Sequence, residues 1–234
     1  MNLVMPIKKI LRRCGYDISR YHSLYDTVLK HHGIKTILDI GANDGLWSAE
    51  MRTLFPEAHI YAFEPLTDCY ERTVKRFEHD PHFTGFNIGL GDTDTFTEIE
   101  RSSFHPSSSL LRMTELHKDL YPKSKHNTRE RITLRRLDSL DNELVLEPGV
   151  FVKMDVQGFE DKVIAGGEAV LKKADVIVVE TAFVPLYERQ PLFGDIHHAL
   201  HSLGFSYRGN CGEHFSSKTG ERIYEDSIFV RSDS

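Results

Sequence analysis

The stretch that decides the fold is ILDIGANDG, residues 37–45. Its apolar residues surround Asp39 and predict a buried strand, and Gly41 and Gly45 predict a tight turn into the following helix. Glycine permits positive φ angles and lets another group approach the backbone closely. The N-terminus of a helix presents unpaired N–H groups that suit a carboxylate or a phosphate. We therefore expect the turn after this strand to bind a ligand.

The spacing of the turn excludes two common nucleotide-binding loops. A dinucleotide-binding turn has the pattern G-x-G-x-x-G, and a P-loop ends in Lys followed by Ser or Thr. The sequence GANDG at 41–45 has neither pattern. A tight turn without a ligand would explain Gly41 and Gly45. It would explain Asp39 poorly, because a carboxylate within a buried strand needs a donor partner.

Strand and helix patterns alternate along most of the chain. Short apolar runs predict strands over 35–42, 59–65, 83–92, 150–158, 175–183 and 223–231, and helical patterns occupy 46–56, 68–77, 159–174 and 195–205. The strands are apolar almost throughout, which is typical of parallel strands covered by helices on both faces. The last strand is expected to form a hairpin with a strand near 205–209. The pattern predicts a doubly wound, three-layer α/β fold with a mostly parallel sheet.

Two segments depart from this alternation. Residues 93–131 are rich in Ser, His, Pro and basic residues, and we expect an insertion with some strand, either a flexible surface loop or a segment that covers the substrate. The start of the chain looks helical and amphipathic. We therefore predict an N-terminal helical extension over 1–32 and a single domain over 33–234.

The composition is that of an ordinary globular protein with an acidic balance. Of the 234 residues, 40% are hydrophobic and 27% are charged, and the formal net charge of −6 disfavours a general nucleic-acid-binding role. The three cysteines are widely spaced, which suits a reducing compartment. No run approaches the ~20 apolar residues of a membrane span, and the start lacks a signal-peptide pattern. The sequence predicts a cytoplasmic location, with packing of residues 1–20 on the domain favoured over contact with a membrane surface.

An acid at the end of the second predicted strand narrows the class of ligand. Glu64 lies about twenty residues after the glycine turn, where a carboxylate can accept both hydroxyls of a ribose. The turn lacks a pyrophosphate-binding pattern, so the predicted ligand is a nucleoside without pyrophosphate, and S-adenosylmethionine fits. The predicted cofactor-binding residues are Asp39, Gly41, Ala42, Asn43, Gly45, Glu64, Pro65, Leu90 and Asp92.

Five spaced motifs resemble those of one known family. They are LDIGANDG (38–45), FEP (63–65), LDSL (137–140), VKMDVQGFE (152–160) and VVE (178–180). Together they resemble the FkbM-type methyltransferases, a branch of the class I S-adenosylmethionine-dependent enzymes, over about residues 30–231. The resemblance implies a seven-stranded sheet whose last strand is antiparallel. It also implies O-methylation of a hydroxyl on a sugar, a glycan or a natural product. The segment 93–131 does not align with the family, so the resemblance does not identify the acceptor.

The catalytic candidates lie at the ends of the fourth and fifth strands of the predicted parallel series. Asp155 and Glu180 end neighbouring strands about 4.8 Å apart, so the two carboxylates are expected to meet. Lys153 lies two residues before Asp155 and projects from the same face of the sheet. Asp155 is the candidate that touches the acceptor hydroxyl, as base or positioner, with Lys153 and Glu180 adjusting its charge.

Two alternatives stay open for this group. Lys153 would in the first only neutralise a structural carboxylate. In the second, a divalent ion would lie between Asp155 and Glu180 and act as a Lewis acid. Nearby, Glu160 falls in the first turn of the next predicted helix, where a carboxylate complements the helix dipole.

The acceptor-binding candidates are His105, Ser108 and Tyr187. His105 and Ser108 fall in the insertion, and Tyr187 follows the fifth strand in a segment whose aromatic residues suit a sugar or an apolar acceptor. The sequence lacks the N-P-P-Y or D-P-P-Y pattern of amino-methylating enzymes. A small-molecule or glycan acceptor is therefore predicted. The alternatives are a non-catalytic cofactor-binding component of a biosynthetic assembly and methylation of a protein or nucleic acid.

Overall fold

A seven-stranded sheet forms the centre of the protein. The computed structural model describes residues 24–102, 108–121, 127–216 and 218–232. The strands of the main sheet are β1 (Thr36–Ile40), β2 (His59–Phe63), β3 (Phe83–Phe86), β7 (Val150–Met154), β8 (Val176–Ala182), β9 (Phe205–Phe215) and β10 (Arg222–Arg231), and their order is β3-β2-β1-β7-β8-β10-β9. Three further strands, β4 (Gly89–Leu90), β5 (Thr95–Ser102) and β6 (Asn127–Arg135), form a separate sheet.

The pairing of the main sheet confirms the predicted fold class. Five adjacent strands run parallel to one another, in the order β3, β2, β1, β7 and β8. β10 lies between β8 and β9 and is antiparallel to both. The predicted hairpin of the last strand is also present, and its first strand runs to Phe215 rather than ending near residue 209. Strand order reverses between β1 and β7, so the carboxyl ends of these two strands border the crevice where an open α/β sheet binds ligands.

Helices cover both faces of the main sheet. They are α1 (Leu24–His31), α2 (Leu46–Leu54), α3 (Thr67–Arg76), α4 (Glu115–Leu120), α5 (Glu160–Gly166), α6 (Glu168–Leu171) and α7 (Phe193–Ser202). Alternate strand residues belong to two separate hydrophobic clusters. Leu38 and Val152 pack with α5, α6 and α7, whereas Ile37 and Phe151 pack with α1 and α2. This alternation produces three layers, as predicted.

The predicted strand over 83–92 is divided between the two sheets. β3 ends at Phe86, and Asn87 then donates from its amide nitrogen to the carbonyl oxygens of Glu64 and Pro65 at 3.0 and 3.1 Å. The chain leaves the main sheet at this point, and Gly89–Leu90 pairs in parallel with the end of β6 instead. The apolar run is continuous in sequence, so periodicity alone could not show the change of sheet.

The insertion predicted over 93–131 contains more regular structure than expected. β5 and β6 pair antiparallel from Thr95↔Leu134 to Ser102↔Asn127. α4 lies between them in the chain. The pairing joins residues that are distant in sequence, and local patterns cannot specify it.

The single helix predicted over 159–174 is broken into α5 and α6. The break falls at Gly166 and Gly167. A Cβ atom on Gly166 would lie 1.8 Å from the carbonyl oxygen of Gly91, so only glycine permits this helix to approach the chain after β4.

The structure describes part of the predicted N-terminal extension. α1 packs by Leu29 into the cluster beneath β1, and residues 1–23 lie outside the described residues. The extension over 1–32 therefore stays a prediction, as does any membrane contact of residues 1–20. None of the helices in the described ranges has the length and apolar character that a bilayer crossing requires.

Candidate functional site

A cavity of about 290 Å³ opens at the carboxyl edge of β1, β2 and β7. Its walls come from the turn after β1, the end of β2, β4, the end of β7, and the small sheet. The predicted site residues that line it are Gly41, Ala42, Asn43, Glu64, Pro65, Leu90, Ser108, Lys153 and Asp155. The parallel strands bring together residues that are separated by up to 114 positions (41 to 155) in the sequence.

The turn after β1 is shaped by its neighbours in the fold. Gly41 has a φ of 84°, and a Cβ atom on it would lie 1.9 Å from the carbonyl oxygen of Asp155. Gly45 has a φ of 72°, and its Cβ would lie 2.8 Å from Cγ2 of Thr73 on α3. Both glycines are thus required by close packing against the protein itself, whereas we expected them to admit a ligand. Gly45 is also absent from the cavity wall.

Glu64 fastens the end of β2 to this turn. Its Oε2 atom accepts from the backbone N–H of Asn43 at 2.8 Å, and its Oε1 atom accepts from the backbone N–H of Leu66 at 2.9 Å. The side chain is 6% exposed. Burial raises the pKa of Glu64 to about 7, against the opposing effect of the two backbone N–H donors. The carboxylate therefore lies at the cavity wall in a fixed orientation.

Asp39 lies beneath the cavity rather than in its wall. Its side chain is fully buried, and its Oδ2 atom accepts from the hydroxyl of Ser48 at 2.5 Å. Burial raises the pKa of Asp39, and Lys153 and Ser48 oppose that rise. Its Oδ1 atom is buried without a hydrogen-bond partner and lies 3.6 Å from Nζ of Lys153.

Lys153 connects Asp39 to the cavity. It is directly opposite Asp39 in the β1–β7 register. Its Nζ atom donates to the carbonyl oxygen of Gly41 at 3.2 Å and lies 3.6 Å from Oδ2 of Asp155. Burial lowers the pKa of Lys153, but Asp155 and Asp39 raise it, and the net shift is upward. Lys153 is therefore a cation between two carboxylates.

A glutamine lies between the two predicted catalytic carboxylates. The amide nitrogen of Gln157 donates to Oδ1 of Asp155 at 2.7 Å and to Oε1 of Glu180 at 3.2 Å. Asp155 and Glu180 thus share one hydrogen-bond donor, the amide nitrogen of Gln157. Burial, and then the charge of Asp155, raise the pKa of Glu180 well above its ordinary value. Gln157 also lines the cavity, and the motif VKMDVQGFE contained it without marking it as functional.

The alternative of a divalent ion between Asp155 and Glu180 would require Gln157 to move from this place. Across the described ranges, no three or more His, Cys, Asp or Glu side chains are grouped so that they could hold a metal ion.

Two further acids near this group were missed or assigned differently from sequence. Glu160 accepts through Oε1 from the backbone N–H groups of Val156 and Gly158, both at 3.1 Å, and so braces the turn before α5. Burial raises the pKa of Glu160 to about 7. Asp226 lies opposite Glu180 in the β8–β10 register. Burial, and then Asp155, raise its pKa to about 6. Asp226 is distant in sequence from the five motifs, so those motifs could not identify it.

Of the remaining predicted residues that the structure describes, Ser108 lines the cavity, whereas Asp92 and Tyr187 do not. Asp92 pairs with Lys162 at 3.5 Å and does not line the cavity. Tyr187 is buried and donates from its hydroxyl to Oε1 of Gln157 at 2.8 Å. Ser108 lines the cavity, and its hydroxyl accepts from the backbone N–H of Ser102 at 3.1 Å. His105 lies outside the described residues.

The small sheet covers one side of the cavity. Ile99 and Ile132 line it and pack against Leu66 and Cys69 at the start of α3. Arg101 of β5 also pairs with Asp68 of α3 at 2.7 Å and with Glu130 of β6 at 2.8 Å. The described parts of the predicted insertion therefore contribute to the cavity wall, and a role in covering the substrate stays a prediction.

Known proteins share this chain's sequence and fold. Residues 39–207 match the model of the methyltransferase FkbM domain. The 2-O-methyltransferase NoeI of Sinorhizobium fredii is 32% identical over 165 residues, which cover 66% of each chain. The AMB antimetabolite synthetase AmbE of Pseudomonas aeruginosa is 30% identical over 208 residues, which cover 72% of this chain and 10% of AmbE.

A solved structure agrees with these matches at the level of the fold. The crystal structure of a methyltransferase FkbM from Methylobacillus flagellatus KT superimposes on this chain with a TM-score of 0.52 and 15% identity. The match covers 85% of this chain and 44% of the Methylobacillus chain. The family match extends from the middle of β1 into β9 and includes most of the cavity wall. The chain belongs to the FkbM methyltransferase family.

Proposed function

We propose that the protein is an S-adenosylmethionine-dependent O-methyltransferase that acts in the cytoplasm on a hydroxyl of a sugar, a glycan or a natural product. Family membership supports the methyltransferase class, and the 2-O-methyltransferase NoeI supports transfer to oxygen. The observation that carries the proposal is a single cavity whose wall contains the turn after β1, Glu64 and Asp155.

The residues in the cavity wall fit such a nucleoside. Glu64 offers carboxylate oxygens where a ribose needs acceptors, and its fixed orientation lowers the entropic cost of binding. Leu90 and Phe63 supply apolar surface suitable for an adenine ring. The turn over Gly41–Asn43 and Lys153 also line the cavity, and this part of the wall would hold the amino-acid end of the cofactor.

The chain's own task in the reaction is to align the acceptor and remove its proton. S-adenosylmethionine, when bound, supplies a methyl group on a positively charged sulfur, and that group is transferred by in-line displacement. Asp155 would accept the proton of the acceptor hydroxyl when its oxygen takes the methyl group from sulfur. Nζ of Lys153 lies 3.6 Å from Oδ2 of Asp155 and the amide of Gln157 donates to Oδ1, so each oxygen of this carboxyl group has a neighbouring nitrogen.

The overall charge of the protein favours an uncharged acceptor. The formal net charge is −6, so an anionic polymer would meet repulsion. This charge supports a neutral hydroxyl compound over a nucleic acid.

Two measurements test the proposal. In titration calorimetry, S-adenosylhomocysteine should bind the parent protein, and Glu64→Gln should weaken binding by about tenfold to a hundredfold, as expected for lost hydrogen bonds to a charged group. Glu71→Gln, an exposed glutamate on α3, is the matched control. The parent protein with isotope-labelled S-adenosylmethionine and a metabolite extract of the source organism should yield a labelled product by mass spectrometry, and Asp155→Asn should not.

The outcomes separate the candidate functions. If the nucleoside binds but no labelled product forms, the protein is a non-catalytic cofactor-binding component. If the label enters protein or nucleic acid, the acceptor class is wrong. If S-adenosylhomocysteine neither binds nor raises the melting temperature, the proposed cofactor site is wrong.

A further inference from the structure

Gln157 forms hydrogen bonds with four residues around the site. It follows β7 with a φ of 56°, which is uncommon for a residue with a side chain. Its amide nitrogen donates to Asp155 and Glu180 at 2.7 and 3.2 Å, and its Oε1 atom accepts from the hydroxyl of Tyr187 at 2.8 Å. Its carbonyl oxygen accepts from the hydroxyl of Ser109 at 2.6 Å.

These partners fix the orientation of the amide. The NH₂ end of Gln157 donates to Oδ1 of Asp155, the shorter of its two contacts with acids. Its oxygen then faces Tyr187, and the Tyr187 hydroxyl donates. A flipped amide would place its oxygen against the Asp155 carboxylate and its NH₂ against Tyr187, which loses the bond to Asp155.

The amide also restrains the rotation of Asp155. Oδ1 of Asp155 is held by Gln157, and Oδ2 faces Nζ of Lys153 at 3.6 Å. Asp155 and Glu180 both accept from the amide nitrogen of Gln157. A neutral group with two donors lets both carboxyls remain close while Asp155 stays in the cavity wall.

The same residue connects Asp155 to the segment over the cavity. Ser109 belongs to the stretch 108–113, and that stretch is bound to the chain around Tyr187 by the Met113↔Tyr187 bridge and by the N–H of Glu188 on the carbonyl of Arg112 at 2.8 Å. Ser108 and Leu110 of this stretch line the cavity. Gln157 thus lies between the acceptor side of the cavity and the carboxylate.

We propose that Gln157 is a positioning residue that holds Asp155 in the orientation needed to accept the proton of the acceptor, and that Tyr187 fixes the direction of its amide. This rests on the proposed function, because Asp155 is the base only in that reaction. Gln157 acts through Asp155, so its replacement is not expected to change the affinity for the cofactor.

The test compares three variants with the parent protein. Gln157→Met removes the donors at similar size, Gln157→Glu keeps the shape but adds a third carboxyl group, and Tyr187→Phe removes the hydroxyl that donates to the amide oxygen of Gln157. Asn142→Asp, on an exposed turn, controls for added negative charge. The readouts are crystal structures with S-adenosylhomocysteine, the affinity for that compound by calorimetry, and kcat and KM with the acceptor found by mass spectrometry.

The expected results separate positioning from folding and from cofactor binding. In Gln157→Met, Asp155 should turn toward Lys153 and shorten the 3.6 Å separation to about 2.8 Å. The affinity for S-adenosylhomocysteine should stay within about twofold, because Gln157 is not assigned to the cofactor. kcat should fall about tenfold or more. A positioned general base contributes about 10²–10⁴-fold to the rate, and misplacing it should lose part of that factor. Gln157→Glu should lose at least as much, Tyr187→Phe less, and Asn142→Asp nothing.

Other outcomes would overturn the inference. An Asp155 carboxylate that keeps its place in Gln157→Met, or a parent-like kcat in both Gln157 variants, shows that Gln157 does not position it. Equal losses of kcat and of nucleoside affinity assign Gln157 to cofactor binding instead. If the parent protein yields no methylated product, the proposed function fails, and the crystal structures still report whether Gln157 holds Asp155.

Discussion

At the scale of single residues, this site is governed by close approaches between strand ends. At Gly41, the turn after β1 passes so close to the carbonyl oxygen of Asp155 that there is no room for a side chain. Asp39 and Lys153 face each other across β1 and β7. A change at Gly41 therefore acts on both walls of the cavity. The glycine is explained by the fold before any ligand is considered.

Replacing Gly41 with alanine tests this explanation. Gly41→Ala combines a positive φ of 84° with a Cβ only 1.9 Å from the Asp155 carbonyl oxygen. Gly33→Ala is the matched control, since Gly33 has a φ of 55° and no atom within 4 Å of the added Cβ. Gly33→Ala should cost about 1–2 kcal/mol of unfolding free energy from the left-handed backbone alone.

Gly41→Ala should cost at least about 1–3 kcal/mol more, because overpacking adds to the same backbone strain. Urea denaturation of the two variants measures the difference. Equal losses would show that the turn relaxes away from β7 and that the close approach is not required.

At the scale of elements, the small sheet is held on the main domain by an apolar contact and an ion-pair network. Ile99 and Ile132 pack on Leu66 and Cys69, and Arg101 pairs with Asp68. The hydrogen bond from Arg101 holds the pKa of Asp68 well below its ordinary value, with Arg72 contributing. The sheet that covers the cavity is thus attached to the same helix that follows Glu64.

Removing this network should loosen the small sheet alone. Arg101→Met is expected to reduce the local stability of β5 and β6 by about 1 kcal/mol, since the pairs are only partly buried. Hydrogen exchange of the β5 and β6 amides should then become several-fold faster, while β1 and β7 amides stay unchanged. Arg129→Met is the control, because Arg129 pairs across the same two strands with Glu98 at 3.4 Å and both side chains are exposed. Faster exchange in both sheets would show that the two sheets open together.

At the scale of the whole molecule, the carboxyl edge concentrates buried acids. Burial raises the pKa values of Glu64 and Glu160 from 4.5 to about 7, and burial raises that of Glu180 further above its ordinary value. Between pH 4.5 and about pH 7, the folded protein therefore binds more protons at these groups than the unfolded chain does. The stability that these groups contribute is present at low pH and is lost as the pH rises through their folded pKa values.

The unfolding free energy should consequently fall between pH 6.5 and about pH 8, by about 1 kcal/mol or more. The buried His117, whose pKa burial lowers from 6.5 to about 4, acts in the opposite direction only below this interval. Urea denaturation at the two pH values measures the change. Glu160→Gln should flatten it, because its amide oxygen can still accept both backbone bonds, whereas Glu71→Gln should not. A stability that rises with pH would contradict the assignment of these acids as proton-binding in the folded state.

The sequence predicted most of the main sheet and the grouping of several residues that line the cavity. The apolar runs, the glycine turn and the acid at Glu64 are local patterns, and parallel strands necessarily bring their carboxyl ends to one edge. Gly41, Asn43, Glu64 and Asp155 could therefore be placed together before the fold was known. Asp92 and Tyr187 show the limit, because a position near a strand end does not determine where a side chain points.

Periodicity in the sequence predicted the α/β fold class, and the resemblance of short motifs implied the family and the antiparallel last strand. Both kinds of pattern are properties of neighbouring residues. The three-dimensional fold was needed to show that β5 and β6 pair as a second sheet beside the cavity, and that Asp155 and Glu180 share the amide nitrogen of Gln157. Both depend on pairings between distant residues and on the direction of one amide, and these are fixed only when every buried donor and acceptor finds its partner.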